Sequence, residues 1–193
     1  LLNDLPISDK RNLKMEKYIN LGKDKYKSRY YKMCFDFEHV DEVEKACENY
    51  MTGIVWVFNY YFKGCASWEW KYDYRHAPLL SDIANYINKN NINAIKFKAS
   101  KPLEPLNQLL YILPKQSKNL LPIQFQYLFD TLYFYPDYYG MDMLFKRFFW
   151  QAQPILPDVD YKQIKKIYSD PSSKYKKRCK NNKEAIPLYQ HFI

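Results

Sequence analysis

Seven side chains, Val40, Val43, Cys47, Tyr50, Ile54, Val57 and Tyr61, recur at alternating steps of three and four residues, which is the apolar stripe of one long α-helix. The second half of that helix, read through WVFNYYF, is apolar nearly all round, so it is expected to be buried centrally. Gly64 is well placed to end it. An element of this length through a chain of 193 residues points to one mainly helical domain spanning 1–193. Around it the pattern predicts a basic helix over 25–35, and another over 79–88 that starts after Pro78 with Ser81 and Asp82 as capping candidates. A helix over 106–113 lies between Pro105 and Pro114, and Pro122 opens a further one through Phe129 that can dock on it. Residues 94–98 alternate like a short strand, and 133–157 read as extended segments or a hairpin with 145–150 as its strand. The remainder reads as helical and basic. The expected class is therefore mainly α: an irregular helical domain with a long central helix, aromatic loops and a short β-hairpin.

Immediately after the central helix comes GCASWEWKYDYRHAP, residues 64–78, which concentrates Trp68, Trp70, Tyr72, Tyr74, Lys71, Arg75 and His76 in one turn-bounded segment. Aromatic faces stack on bases of any sequence while Lys and Arg neutralise phosphate, so this composition suits single-stranded nucleic acid. It suits an aromatic core element with a charged edge equally well. Net charge does not separate the two readings. The chain carries +9, but nine basic residues and the single Asp170 between Lys162 and Lys183 supply +8 of it, leaving the body nearly neutral. Binding in the body has to rest on local geometry, and the basic tail reads as a solvated face or a binding surface.

Several chemistries are not legible. Four isolated Gly provide no phosphate-cradling loop, and the acidic pairs Asp36 with Glu38 and Asp158 with Asp160 sit in plain turn contexts. No nucleophile elbow is present. The four Cys (Cys34, Cys47, Cys65, Cys179) and three His (His39, His76, His191) are dispersed, so no zinc site is expected. Cys47 on the apolar helical stripe predicts buried free thiols in a reducing, intracellular compartment, cytoplasmic or nuclear. The longest uncharged apolar-rich run, 51–62, is too short to span a bilayer, and no charged-then-apolar leader is seen, so no membrane association is expected.

Residues 56–78, WVFNYYFKGCASWEWKYDYRHAP, followed by Ser81 and Asp82, resemble the second conserved region of the Xrn/Rat family of 5′-to-3′ exoribonucleases. The family pattern QWxLxYYYxGxxSWSWYYPYHYAPxxSD is met in register by Trp56, Tyr60, Tyr61, Gly64, Ser67, Trp68, Trp70, Tyr72, Tyr74, Ala77, Pro78, Ser81 and Asp82. Upstream, KYKSRYYKMCF is similar to W-K-x-R-Y-Y-x-x-K-F. Downstream, KPLEPLNQLLYILPKQSKNLLP resembles KPFKPFEQLxxVLPxxSxxLLP, and Phe134, Tyr135, Pro136, Asp142, Lys146, Trp150, Leu156 and Pro157 resemble FYPxxFxxDxNGKxxxWxGxxxLPF. KYKKRCKN is similar to EEKKRN, so the resemblance covers roughly 20–183. Departures are also plain. The family's histidine is shifted by one position to His76, its proline is Asp73, one tyrosine is Lys71, and the N-G of its N-G-K turn is Leu144 and Phe145.

The resemblance implies a helical wall around the active site of an exoribonuclease, admitting single-stranded RNA with a 5′-monophosphate. It implies that Trp70 stacks a terminal base, with Trp68, Tyr72, Arg75, His76 and Lys71 lining the same wall as RNA-binding candidates. The family's magnesium is held by acidic residues of a first conserved region that this chain does not contain. No catalytic residue, metal ligand or cofactor is therefore expected here, and magnesium and the acidic catalytic region, from the same protein or a separate chain, become implied partners. The alternative is a catalytically inactive relative used for RNA binding or assembly.

Overall fold

The structure is a computed structural model that describes residues 10–159 and 161–169. Its helices are α1 (Lys10–Ile19), α2 (Tyr26–Phe35), α3 (Val40–Phe62), α4 (Leu80–Lys89), α5 (Pro105–Ile112), α6 (Ile123–Gln126), α7 (Leu128–Thr131) and α8 (Tyr161–Ser169). Strands β1 (Gly140–Asp142) and β2 (Gln153–Ile155) pair as a two-stranded antiparallel sheet. The chain is mainly helical with a long helix and a short hairpin, as the sequence predicts. Most of the basic segment 162–183 and the KYKKRCKN block lie outside the described residues.

The described residues divide into two compact units, one within 10–101 and 141–154, the other within 102–140, 155–159 and 161–169. In the first, α3 begins in a tight cap: Glu42 Oε2 accepts from the backbone N–H of both Glu38 and His39 at 2.9 Å. These two bonds favour the charged carboxylate and hold its pKa below the usual range. At the other end Lys63 caps the helix, and Gly64 follows at φ +101°, where a side chain would be strained. The N-terminal half of the stripe is covered: Cys47 and Met51 pack with Ile83 of α4, joined by Val43, Tyr50, Tyr86, Ile92 and Ile95. A second cluster joins Ile19, Cys34 and Leu144.

In the other unit the core is Leu110 of α5, Leu121, Phe125, Leu128, Phe129, Phe134, Tyr135 and Ile164 of α8. The helix expected from Pro122 is divided at Tyr127 into α6 and α7, both docked in this core together with α5. Tyr135 keeps its hydroxyl inside the core by donating to the Leu110 carbonyl.

The structure corrects four local expectations. The C-terminal half of α3 is not buried: Ile54, Val57, Phe58, Tyr61 and Phe62 are exposed. The reason is length, since at 1.5 Å per residue α3 runs about 35 Å whereas α4 offers about 15 Å of cover. Residues 94–98 form no strand among the described residues: Ala94 closes a short 3₁₀ turn (Ile92–Ala94) that follows α4, and 95–98 have no partner strand. Residues 145–150 are a turn and the start of a 3₁₀ turn (Phe149–Gln151) rather than a strand, with Phe145 at φ 57° breaking the extended path. Neither Ser81 nor Asp82 caps α4: Leu79 is the N-cap without a side-chain bond, and Asp82 is engaged elsewhere. It accepts from Lys27 Nζ at 2.6 Å and from Tyr31 Oη at 2.8 Å.

Candidate nucleic-acid interface

A second stripe on α3, Asn49, Gly53, Trp56 and Tyr60, recurs at steps of four, three and four, so the four residues share one face. The aromatic segment folds back antiparallel along it. Trp56 Nε1 donates to the Ser67 carbonyl at 2.8 Å, Trp70 lies over Gly53, and Asn49 binds Asp73 twice. A Cβ placed on Gly53 would come 2.7 Å from Trp70 Cη2, so the glycine is what allows the indole to approach the helix. Trp56 stacks on Trp70 (centroids 6.0 Å apart, 26° between planes), and Phe97 meets Trp70 edge-on at 6.5 Å. Ser100 Oγ accepts from the backbone N–H of Trp68 at 2.7 Å and of Glu69 at 3.2 Å, fixing the turn before Trp70.

The six sequence-predicted contact residues thus have different settings within one segment. Trp68 is 51% exposed and carries the most open large ring of the segment. Trp70 is half-buried in its aromatic seat, and Lys71 is exposed. Tyr72 is half-buried, donates to the His76 carbonyl at 2.7 Å and meets Tyr50 and Tyr74 edge-on; burial pushes its phenol well above the usual range. Arg75 is exposed, its Nε 3.7 Å from Asp142 Oδ2. The His76 side chain is only 9% exposed, with Nε2 2.8 Å from the same oxygen. Asp142 therefore ties the end of the aromatic segment to the hairpin. Tyr30 makes a second tie, donating to the Ala77 carbonyl at 2.8 Å while its ring lies on Phe145.

Among the described residues no group of three or more His, Cys, Asp or Glu is placed to hold a metal ion. Asp36 and Glu38 both pair with Lys32. Cys34 and Cys47 are buried free thiols and Cys65 is a partly buried one. No helix among the described residues is long and apolar enough to cross a membrane.

A family model described as the Xrn1 helical domain matches residues 7–191. The chain belongs to the Xrn1 helical-domain family. It is 31% identical to 5′-3′ exoribonuclease 2 of Schizosaccharomyces pombe over 177 residues, covering 86% of this chain and 18% of that protein. It is 34% identical to 5′-3′ exoribonuclease 2 of Gallus gallus over 166 residues, 80% of this chain and 17% of the relative. With 5′-3′ exoribonuclease 1 of Saccharomyces cerevisiae it shares 35% over 170 residues, 84% of this chain and 11% of the relative. The chain thus spans less than a fifth of the length of these relatives.

Within this Xrn1 helical domain, several residues that hold the aromatic segment in place are absent from the sequence-predicted set. Gly53 is one, and its signal is a lone glycine inside a strong helix, a costly choice unless something occupies the place of a side chain. Ser100 and Asp142 are others. They lie 32 and 66 residues from the atoms they hold, and a local reading carries no signal for that.

Proposed function

We propose that this chain is the helical half of a 5′-to-3′ exoribonuclease. It would form a wall of the active-site channel and stack the 5′ end of single-stranded, 5′-monophosphorylated RNA, while an acidic half outside the chain supplies magnesium-dependent hydrolysis. The observation that carries this reading is the clamped aromatic segment. Trp70 is seated on Gly53 and Trp56 with part of its ring still open, Trp68 stands exposed beside it, and Lys71 and Arg75 lie on the same stretch. A ring already immobilised by packing loses little entropy when a base stacks on it, and the nearby cations suit the terminal phosphate. The uncovered side of α3, with Ile54, Val57, Phe58, Tyr61 and Phe62 within one arc, supports a large apolar partner such as the acidic half.

The test is digestion of 5′-monophosphorylated and 5′-capped single-stranded RNA by the protein reconstituted with its acidic region, with Trp70→Ala and Trp68→Ala alongside. Magnesium-dependent digestion of the monophosphorylated strand, slowed by either substitution, is expected. Equal, magnesium-independent handling of both strands refutes the reading. RNA binding without any digestion would instead favour an inactive RNA-binding or assembly module.

A further inference from the structure

We propose that the loop over 145–150 is a second contact surface for single-stranded RNA, continuing the track of the aromatic segment; this rests on the reading of the chain as an RNA-binding wall. The loop is built rather than loose. Leu144 is buried, Phe145 donates its N–H to Glu16 Oε1 at 2.9 Å, and Lys146 donates its N–H to the Met143 carbonyl at 3.0 Å. Gln151 Oε1 accepts from the N–H of Arg147 at 2.8 Å and of Phe148 at 3.0 Å, closing the turn. This frame presents Trp150, 62% exposed, with its plane within 10° of that of Phe148. The Arg147 guanidinium lies 5.4 Å from the Phe148 ring centre.

The chemistry selects a polyanion with flat bases. The stretch FKRFFWQ carries two cations and no acid, and neither Lys146 nor Arg147 forms an ion pair among the described residues. An exposed Trp150 ring parallel to the partly buried Phe148, beside cations, suits base stacking with phosphate neutralisation, whereas an apolar protein groove would have to desolvate both charges. The loop begins beside the aromatic segment: Asp142 holds His76 and faces Arg75, and Phe145 stacks on the Tyr30 ring whose hydroxyl binds Ala77. A strand leaving Trp68 and Arg75 would therefore meet the loop next, so occupancy should depend on strand length.

The experiment measures binding of the full chain to fluorescent 5′-monophosphorylated oligouridylates of about four and about 20 nucleotides, lengths that bracket common single-strand sites. Trp150→Ala is expected to weaken the longer strand about tenfold and leave the shorter one unchanged, with Trp150→Tyr restoring binding. Lys146→Gln with Arg147→Gln should reduce the slope of log affinity against log salt for the longer strand by about 1.4, at about 0.7 per lost phosphate contact. If Trp68→Ala weakens both strands while the loop variants change neither affinity nor slope, the second surface is refuted and the wall reading stands. If no oligouridylate binds at all, the wall reading fails and this one with it. Loss of association with the acidic region at unchanged RNA affinity would make the loop a protein contact and overturn the proposal.

Discussion

The seat of Trp70 on α3 makes a prediction whose sign changes with background. In an ordinary helix interior, Gly53→Ala stabilises by about 1 kcal/mol, because alanine restricts the unfolded backbone and glycine does not. Here the added methyl would lie 2.7 Å from Trp70 Cη2, and the indole is held by Trp56 and Phe97, so it cannot simply swing away. Overpacking of this kind costs about 1–3 kcal/mol. The two terms leave Gly53→Ala destabilised by about 1 kcal/mol, and at about 2–4 °C per kcal/mol for a chain of this size Tm falls by a few degrees. In a Trp70→Phe background the outer indole ring is gone, the clash disappears, and the same Gly53→Ala should raise stability by about 1 kcal/mol.

The assay is a double-mutant cycle by urea denaturation, with thermal melts in parallel. The expected coupling between positions 53 and 70 is about 2 kcal/mol, within the range for residues in direct contact. Because Trp70→Phe is conservative in packing, the cycle does not depend on a variant that fails to fold. A Gly53→Ala effect of the same sign and size in both backgrounds would refute the argument, since the glycine would then be serving the helix and not the indole. RNA affinity adds a second readout. If the seat positions a stacking ring, Gly53→Ala should weaken oligouridylate binding even where melting shows the protein fully folded.

Phe145 occupies a left-handed turn position (φ 57°) where the related motif has glycine, so Phe145→Gly should be more stable than Phe145→Ala by about 1 kcal/mol; equal stability in urea would remove backbone strain from this turn. Alkaline pH should destabilise the fold. Burial pushes Cys34 up to about 12 and Cys47 up to about 11 from 9.0, and raises Tyr30, Tyr31 and Tyr72 from 10.0. The folded state holds protons that the unfolded chain releases, so stability is full below pH 9.0 and falls as pH climbs through the folded values. Thermal melts across this range should show Tm dropping from pH 9.0 upward, and an unchanged Tm at pH 11 would contradict the burial of these groups.

What the sequence made legible follows from which forces are local. The stripe from Val43 to Tyr61, the prolines flanking α5 and the basic run of α2 act over one or two turns, and those helices stand close to where periodicity puts them. The short strands were misplaced because three-residue segments such as Gly140–Asp142 and Gln153–Ile155 carry too few side chains to show alternation, and their pairing is fixed by residues outside them. The identities of the aromatic segment were legible, but the division of labour was not. Tyr72 and Tyr74 serve the ring cluster with Tyr50, Phe35 and Phe37, Trp70 is shared between helix and surface, and Trp68 faces outward.

The exposed half of α3 shows the same limit from the other direction. Periodicity identifies Ile54, Val57 and Tyr61 as side chains that favour burial, and they continue the line on which Cys47 is buried and Val43 and Tyr50 are partly buried. It says nothing about what covers them, and α4 ends before reaching them. These five large apolar side chains in one arc are 46–76% exposed, so burying what remains open would contribute roughly 1–2 kcal/mol for each. The proposed acidic half would cover these uncovered apolar turns, which lie next to a clamped row of rings and cations. The same helix would present its Gly53 face to the segment proposed to hold RNA and its Ile54 face to the body proposed to cut it.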